Sequence, residues 1–119
     1  MINDANVTIM VSDIDAAIRF YVEKLGLKFV ANYGGHYAEI SAPSLKIGLH
    51  PAGEAGPKMK SGNLSIGFEV ENLDVAVSEL KNKGVTIERI VEDGPVRLAH
   101  FADPDGNPLY LAQQQTWSR

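Results

Sequence analysis

The chain of 119 residues contains two copies of one sequence pattern. The segments VTIMVSDIDAAI, starting at Val7, and IGFEVENLDVAV, starting at Ile66, align without a gap 59 positions apart. The second copy lacks one residue near the end of its helix, after which Gly26-Leu27 aligns with Gly84-Val85. Later, AEISAP aligns with AHFADP. This repeat predicts two structural units that protect each other's surface, because one unit of about 55 residues has only a thin core.

Each copy has the pattern of a strand, a helix and three further strands. The first strand alternates apolar and polar residues, and Ser12-Asp13 then caps a helix that ends at Gly26. The predicted strands are 6–11, 27–32, 37–41 and 45–50 in the first copy, and 64–70, 85–91, 96–102 and 109–113 in the second, whose helix is 73–83. We therefore predict an α+β fold of two tandem βαβββ modules.

The two modules are expected to form one domain over residues 1–119. Module one covers about 5–50 and module two about 63–113. Between them the segment PAGEAGPKMKSG, at 51–62, is rich in Gly and Pro and has no periodicity, which is typical of an exposed linker.

Strand alternation assigns the two faces of each sheet. Val7, Ile9 and Val11 are predicted to pack under the first helix, which leaves Asn6, Thr8 and Met10 on the opposite face. In the second copy, Ile66, Phe68 and Val70 face the helix, and Ser65, Gly67 and Glu69 lie opposite; in the last strand, Leu109 and Leu111 face the helix and Tyr110 lies opposite. The faces away from the helices are smaller and more polar, which favours a ligand pocket over a filled core.

The composition excludes several classes of partner and chemistry. A formal net charge of −4 and a pI of about 5.3 argue against nucleic acid and anionic membranes as partners. The absence of Cys excludes disulfides, thiolate catalysis and Cys-based zinc sites. No apolar stretch approaches the length of a membrane span, and the N-terminus does not resemble a targeting signal, so we expect a cytoplasmic protein.

Three segments, VSDIDAAIRFYVEKLGLKF, FEVENLD and FADPDGNPLYL, resemble the vicinal oxygen chelate superfamily. This superfamily includes glyoxalase I, extradiol dioxygenases, and fosfomycin- and bleomycin-resistance proteins. The resemblance implies that each module curls its strands into a half-barrel around a cavity, with the helices outside. It also implies a homodimer, because members commonly pair units between chains.

Metal-dependent members of that superfamily bind a divalent ion through His or Glu at three positions. By motif, these positions correspond here to Asn6, Ser65 and Tyr110, and none of these is a usual ligand for Zn²⁺, Ni²⁺, Fe²⁺ or Mn²⁺. We therefore predict neither a metal nor another cofactor. A cluster of His50, His100, Glu39 and Glu69 is the alternative metal site.

The resulting hypothesis is a metal-independent small-molecule-binding protein of the bleomycin-resistance type, which would sequester a drug or metabolite and so confer antibiotic resistance. The alternative is an enzyme, of the lyase, isomerase or dioxygenase type, that uses an unusual metal site or acid–base chemistry through His50 and His100. Tyr33 is a further candidate for stacking, Trp117 would either stack on a ligand or anchor the tail at a dimer interface, and Arg97 would either hold a ligand carboxylate or be solvated. The predicted ligand-binding residues are Asn6, Thr8, Tyr37, Glu39, His50, Ser65, Glu69, His100 and Tyr110.

Overall fold

The computed structural model of the chain describes residues 1–52 and 64–113, apart from the side chain of Asp93. The chain divides into two compact units, unit 1 (Met1–Met59) and unit 2 (Lys60–Arg119). Most of the predicted linker at 51–62 lies outside the described residues, and so does Trp117.

Unit 1 is a four-stranded sheet with a helix packed on one face. Its strand order is β1-β4-β3-β2, with β1 parallel to β4 and the other neighbours antiparallel. The helix contacts the two central strands, β3 and β4. The elements are β1 (Val7–Val11), α1 (Ile14–Arg19), a π-helical turn (Phe20–Lys24), β2 (Lys28–Asn32), β3 (Ala38–Ala42) and β4 (Leu45–Pro51).

Unit 2 repeats this topology. Its strand order is β5-β8-β7-β6, with β5 parallel to β8 and the remaining pairs antiparallel. The elements are β5 (Ile66–Val70), α2 (Leu73–Asn82), β6 (Arg89–Asp93), β7 (Val96–Ala102) and β8 (Pro108–Gln113). The predicted α+β class and the two βαβββ modules are confirmed, and neither sheet is closed into a barrel within the described residues.

The core of each unit lies between its sheet and its helix. Alternation along the strands places one apolar row against the helix, as predicted from the sequence. The buried residues of unit 1 include Ile9, Val11, Ala17, Phe20, Tyr21, Ile40, Ile47 and Leu49. Those of unit 2 include Leu73, Val77, Leu80, Val85, Ala99, Phe101, Leu109 and Leu111.

Both helices begin at a side-chain cap that the sequence predicts. The Asp13 carboxylate accepts a hydrogen bond from the Ala16 N–H at 3.0 Å, and the Asn72 side-chain oxygen accepts one from the Val75 N–H at 3.0 Å. Each cap satisfies a backbone donor that has no partner within the helix. The two units therefore start their helices in the same way.

The helix ends differ by one residue. In unit 2 the Val85 N–H donates to the Leu80 carbonyl at 2.9 Å, and in unit 1 the equivalent bond joins the Leu27 N–H to the Tyr21 carbonyl at 3.0 Å across one more residue. The extra residue is accommodated as a π-helical turn, in which the Leu25 N–H donates to the Phe20 carbonyl. The single-residue offset of the sequence repeat is therefore a local widening of the helix.

The predicted strand at 85–91 is wrong in its bounds, since β6 covers Arg89–Asp93. Val85 is buried and closes the end of α2 through its hydrogen bond to Leu80, so it belongs to the helix cap. Val85 and Ile87 gave the segment the pattern of a strand, but pairing with β7 begins only near Glu88, whose N–H donates to the His100 carbonyl at 2.8 Å.

Neither helix in the described part of the chain has the length and apolar character needed to cross a bilayer.

Candidate functional site

The face of each sheet that points away from its helix is called here the open face. On β1, Ile9 and Val11 are buried, so Thr8 and Met10 lie on the open face of unit 1. On β3, Ala38 and Ile40 are buried, so Glu39 and Ser41 lie on the open face. The open faces carry the predicted ligand-binding residues that lie within strands.

Gly48 is the centre of a group of predicted site residues in unit 1. Register pairs Gly48 with Thr8 on β1 and with Glu39 on β3, so these three residues form one row across the sheet. The ring of Tyr37 lies over Gly48, where an added Cβ would overlap the ring and approach Cε1 and Cζ to 2.7 Å. Glycine at this position is therefore what allows the hydroxyl end of the Tyr37 ring to approach the backbone of β4.

His50 lies on the same open face, two residues along β4 from Gly48. Its Nδ1 is 2.8 Å from the Pro51 carbonyl oxygen, and because a carbonyl can only accept, Nδ1 carries the proton. In the neutral ring this leaves Nε2 with its lone pair, which can accept a proton or a hydrogen bond. His50 is exposed, so a ligand or water can reach it.

A second tyrosine extends the aromatic surface of unit 1. The rings of Tyr33 and Tyr37 are stacked, with centroids 6.2 Å apart and an interplanar angle of 23°. The Tyr33 N–H donates to the Tyr37 carbonyl at 2.8 Å, which holds the two residues side by side. Tyr33 is 61% exposed, so much of its ring is accessible for stacking.

Unit 2 has a corresponding row with different side chains. Tyr110 pairs with Gly67 on β5 and with His100 on β7, and His100 pairs with Arg89 on β6. The Tyr110 ring lies over Gly67, where an added Cβ would overlap it. The His100 and Tyr110 rings are in contact at a centroid distance of 6.0 Å and an angle of 45°.

The other predicted site residues lie at the margins of these rows. Asn6 is exposed and precedes β1, and Glu69 is exposed on β5 two residues beyond Gly67. Ser65 precedes β5, and its hydroxyl donates to the Pro108 carbonyl at 3.2 Å. The structure thus groups Thr8, Tyr37 and Glu39 in unit 1, and His100 and Tyr110 in unit 2.

Arg97 has a structural role that the sequence did not indicate. It lies on the helix side of β7, where its guanidinium donates to Glu92 at 2.6 Å, to Asp74 at 3.1 Å and to the Gln113 side chain at 3.3 Å. The hydrogen bonds to Asp74 and Glu92 raise the pKa of Arg97 above its ordinary value. Arg97 is therefore paired with Asp74 and Glu92 within unit 2, whereas the sequence suggested that it either holds a ligand carboxylate or is solvated.

An exposed ion pair flanks the row in unit 1. The Lys46 ammonium binds the Asp4 carboxylate, which raises the pKa of Lys46 and lowers that of Asp4. A lowered carboxylate pKa contributes stability above its unfolded value, and this contribution is lost as the pH falls through the folded value. Because both side chains are at least half exposed, the ion pair contributes little to stability.

Gly48, Gly67 and Arg89 were missing from the predicted site. The two glycines interrupt apolar or alternating strands, and an isolated glycine within a strand is a recognised signal of close approach by another group. Arg89 had no such signal, because the sequence placed it within a strand whose start was misassigned.

The comparisons with known proteins place this geometry in a family. The family model of the glyoxalase/bleomycin resistance protein/dioxygenase superfamily matches residues 5–111. The chain belongs to this superfamily. An uncharacterized protein of Bacillus subtilis (strain 168), YwkD, is 32% identical, and the match covers 92% of this chain and 94% of that one.

Solved structures of the superfamily have the same fold. The antibiotic-binding protein TnmS3 from Streptomyces sp. CB03234 matches with a TM-score of 0.76 and 25% identity, over 97% of this chain and 100% of that one. Lactoylglutathione lyase from Agrobacterium tumefaciens matches with a TM-score of 0.76 and 17% identity, over 93% and 92% of the two chains. At that identity the lyase supports the fold alone.

The residues at the implied metal positions do not fit the divalent ion of the metal-dependent superfamily members. Asn6 and Ser65 offer neutral oxygens, and the Ser65 hydroxyl is already bonded to Pro108. Tyr110 offers a phenol, whose ring lies against Gly67 and His100. A protonated phenol is a poor ligand for a divalent ion. Within residues 1–52 and 64–113, no three His, Asp or Glu side chains are grouped so that they could hold a metal.

Proposed function

We propose that this protein binds a small organic molecule without the divalent metal used by catalytic members of its superfamily, and that binding sequesters the molecule. The proposal depends on the side chains at the three positions where metal-dependent members of the superfamily have their metal ligands. Asn6, Ser65 and Tyr110 lack the charge or the imidazole that would bind a divalent ion. Recognition then depends on stacking, hydrogen bonding and shape.

The open faces support this proposal with surfaces suited to an organic ligand. Each has a tyrosine whose ring end lies against a glycine, Tyr37 against Gly48 and Tyr110 against Gly67. Flat aromatic rings give a ligand a large contact area at low conformational cost. The polar groups beside them, Glu39 in unit 1 and His100 in unit 2, would orient the ligand.

The antibiotic-binding relative supports a drug or similar natural product as the ligand. TnmS3 resembles this chain over nearly its whole length. By this analogy, we propose antibiotic resistance by sequestration as the physiological role. We propose that each open face offers its own ligand contacts. Those of unit 1 would come from Thr8, Tyr37, Glu39 and His50, with Asn6 at the margin, and those of unit 2 from Glu69, His100 and Tyr110, with Ser65 at the margin.

Metal analysis and thermal denaturation test the proposal together. The purified protein should contain only substoichiometric Zn, Ni, Fe and Mn, and added divalent ions should leave its melting temperature unchanged. A panel of antibiotics and aromatic metabolites should contain compounds that raise it. A ligand present at about a hundred times its dissociation constant stabilises the folded protein by about 2.7 kcal/mol.

Stoichiometric metal, or strong stabilisation by one divalent ion, would refute the metal-independent function. In that case Tyr110→Phe provides a check, because it removes the phenol oxygen and keeps the ring. Loss of the bound metal in this variant would assign the ion to the position that we consider unfit.

An acid–base enzyme is the second candidate, and the hydrogen bonding of His50 favours it. The bond from Nδ1 to the Pro51 carbonyl fixes the tautomer that leaves Nε2 available as a base. Any compound identified by thermal denaturation should be incubated with the protein and analysed by mass spectrometry. A product that forms with the wild type, but not with His50→Gln, would establish this activity, and unchanged compound supports binding alone.

The domain organisation, location and assembly belong to the same proposal. We propose that residues 1–119 act as one domain in the cytoplasm and that the protein is a homodimer. Size-exclusion chromatography with light scattering tests the assembly directly. A mass of one chain at micromolar concentration would contradict the dimer.

A further inference from the structure

The carboxylate of Glu39 is partly buried and forms neither a hydrogen bond nor an ion pair within the described residues, although the Lys46 ammonium lies close enough to interact with its charge. Glu39 projects from β3, an interior strand, and its neighbours across the sheet are Gly48 on one side and Ala31 on the other. Neither neighbour has a polar side chain. Lys46 acts on Glu39 only through its charge, because its ammonium is already paired with the Asp4 carboxylate. A cation arriving at this carboxylate would not have to displace a protein group.

The aromatic surface lies next to this carboxylate. Tyr37 is two residues from Glu39 on the same open face, its ring is placed over Gly48, and Gly48 is the neighbour of Glu39 across the sheet. Tyr33 stacks on Tyr37 and is largely exposed. The faces of tyrosine rings attract cations as well as planar rings, so the two tyrosines and the carboxylate favour the same kind of ligand.

The equivalent row of unit 2 has the opposite character. His100 takes the place of Glu39, and Arg89 takes the place of Ala31. Neither can neutralise a cationic ligand, and Arg89 would repel one. Of these two rows, only that of unit 1 contains a carboxylate, because Glu69 of unit 2 lies outside the row, exposed on β5 and paired with Ala112.

We infer that the open face of unit 1 binds an organic cation with a planar aromatic ring, the ring on Tyr33 and Tyr37 and the cationic nitrogen at Glu39. This inference rests on the proposed small-molecule binding and names the class of ligand. In this inference, Glu39 selects ligands that carry a positive charge, and the tyrosine pair selects ligands that have a planar ring.

Three probes of similar shape separate charge from stacking. 9-Aminoacridine is a planar cation at neutral pH, acridine is its neutral counterpart, and acridine-9-carboxylate is the anion. Their fluorescence allows direct titration with the full-length protein. We expect 9-aminoacridine to bind most tightly and acridine-9-carboxylate least tightly.

Glu39→Gln tests the carboxylate while preserving the size of the side chain. It should weaken 9-aminoacridine binding about tenfold or more, the effect of losing one charge-assisted contact, and leave acridine binding nearly unchanged. Glu23→Gln is the matched control, because it removes the same charge from the exposed π-helical turn. Tyr33→Ala should weaken both cationic and neutral probes by about tenfold through lost stacking.

Equal binding of 9-aminoacridine to Glu39→Gln and Glu23→Gln would overturn the inference, as would tighter binding of the anionic probe. Circular dichroism and urea denaturation establish that each variant is folded. If Glu39→Gln fails to fold, Glu39→Lys replaces it and should shift the preference towards acridine-9-carboxylate; an unchanged order of the probes would overturn the inference.

The outcomes also separate this inference from the proposed function. If other compounds stabilise the protein but 9-aminoacridine does not bind, the ligand class is wrong and small-molecule binding stands. If neither the acridines nor any compound of the thermal panel binds, both fail.

Discussion

Units 1 and 2 share their topology and differ in the chemistry of their open faces. In unit 1 the row contains Thr8, Gly48 and Glu39, whereas the matching row of unit 2 contains Gly67, Tyr110 and His100. An acidic side chain in one copy thus corresponds to an imidazole in the other. Because open-face residues contribute little to the core between sheet and helix, they can diverge without loss of the fold.

The two units also reach the same aromatic surface by different routes. In unit 1 the glycine is on a central strand, β4, and the tyrosine comes from the residue before β3. In unit 2 the glycine is on an edge strand, β5, and the tyrosine is on the central strand β8. A tyrosine ring that approaches the strand backbone therefore needs a glycine at the point of contact. That glycine need not occupy the same position in the two copies of the repeat.

The turns before the last strands differ as well. Unit 1 passes from β3 to β4 through Pro43 and Ser44, while unit 2 uses the longer segment from Asp103 to Asn107. The buried Asp103 carboxylate accepts hydrogen bonds from the Asp105 and Asn107 N–H groups, each at 2.9 Å, and from the Asn107 side chain at 2.8 Å. The motif DPDGNP, which helped to indicate the family, thus stabilises its own turn.

Alanine substitutions at equivalent core positions of the two units should cause the largest losses of stability. Ile40 and Phe101 occupy the same position in the two sheets and are almost completely buried. We expect Phe101→Ala to reduce the free energy of unfolding by about 4 kcal/mol and Ile40→Ala by about 3 kcal/mol, because more buried volume is lost with phenylalanine. Urea denaturation measures both losses. A loss below about 1 kcal/mol in either variant would contradict the conclusion that both positions lie in a well-packed core.

The helix ends should respond unequally to deletion of one residue. Deleting Glu23 should convert the π-helical turn into the form seen in unit 2 and cost only about 1 kcal/mol. Deleting Asn82 removes a residue that the cap of α2 needs, so Val85 loses its buried position at a cost of about 2–3 kcal/mol. If urea denaturation gives equal costs, the extra residue of unit 1 is not a tolerated insertion.

Replacing each of the two glycines by alanine tests whether the tyrosine rings need them in order to approach the strands. Gly48→Ala and Gly67→Ala should each reduce the free energy of unfolding by about 1 kcal/mol, because the ring can move away at its flexible end. Near-ultraviolet circular dichroism should report the displaced tyrosine. Gly48→Ala should weaken 9-aminoacridine binding more than Gly67→Ala does, and the reverse order would move the cation site to unit 2.

Substitutions at the two helix N-caps should show the smallest difference in stability between the units. Asp13→Ala and Asn72→Ala should each cost about 1 kcal/mol, since each removes one capping hydrogen bond. Asp13→Asn and Asn72→Asp should change stability by only a few tenths of a kcal/mol, because either residue can cap. A loss in Asp13→Asn as large as that in Asp13→Ala would show that the charge, rather than the cap, matters in unit 1.

The repeat, the βαβββ order of both units and the face of most strand residues can be predicted from the sequence. These follow from local periodicity and from caps and turns, which act over a few residues. The end of the first helix at Gly26 is as predicted, and the error lay at the start of β6. Val85 is placed there by packing and cap closure rather than by propensity.

The grouping of the candidate site residues could not be predicted from the sequence. Four features depend on which residues face each other across strands. They are the contact of Tyr37 with Gly48, the stacking of Tyr33, the absence of an ion pair at Glu39, and the bonds of Arg97 to Glu92 and Asp74. Register and side-chain direction are set by the packing of the whole sheet. The sequence therefore named most of the chemical groups, and the fold determined which of them act together.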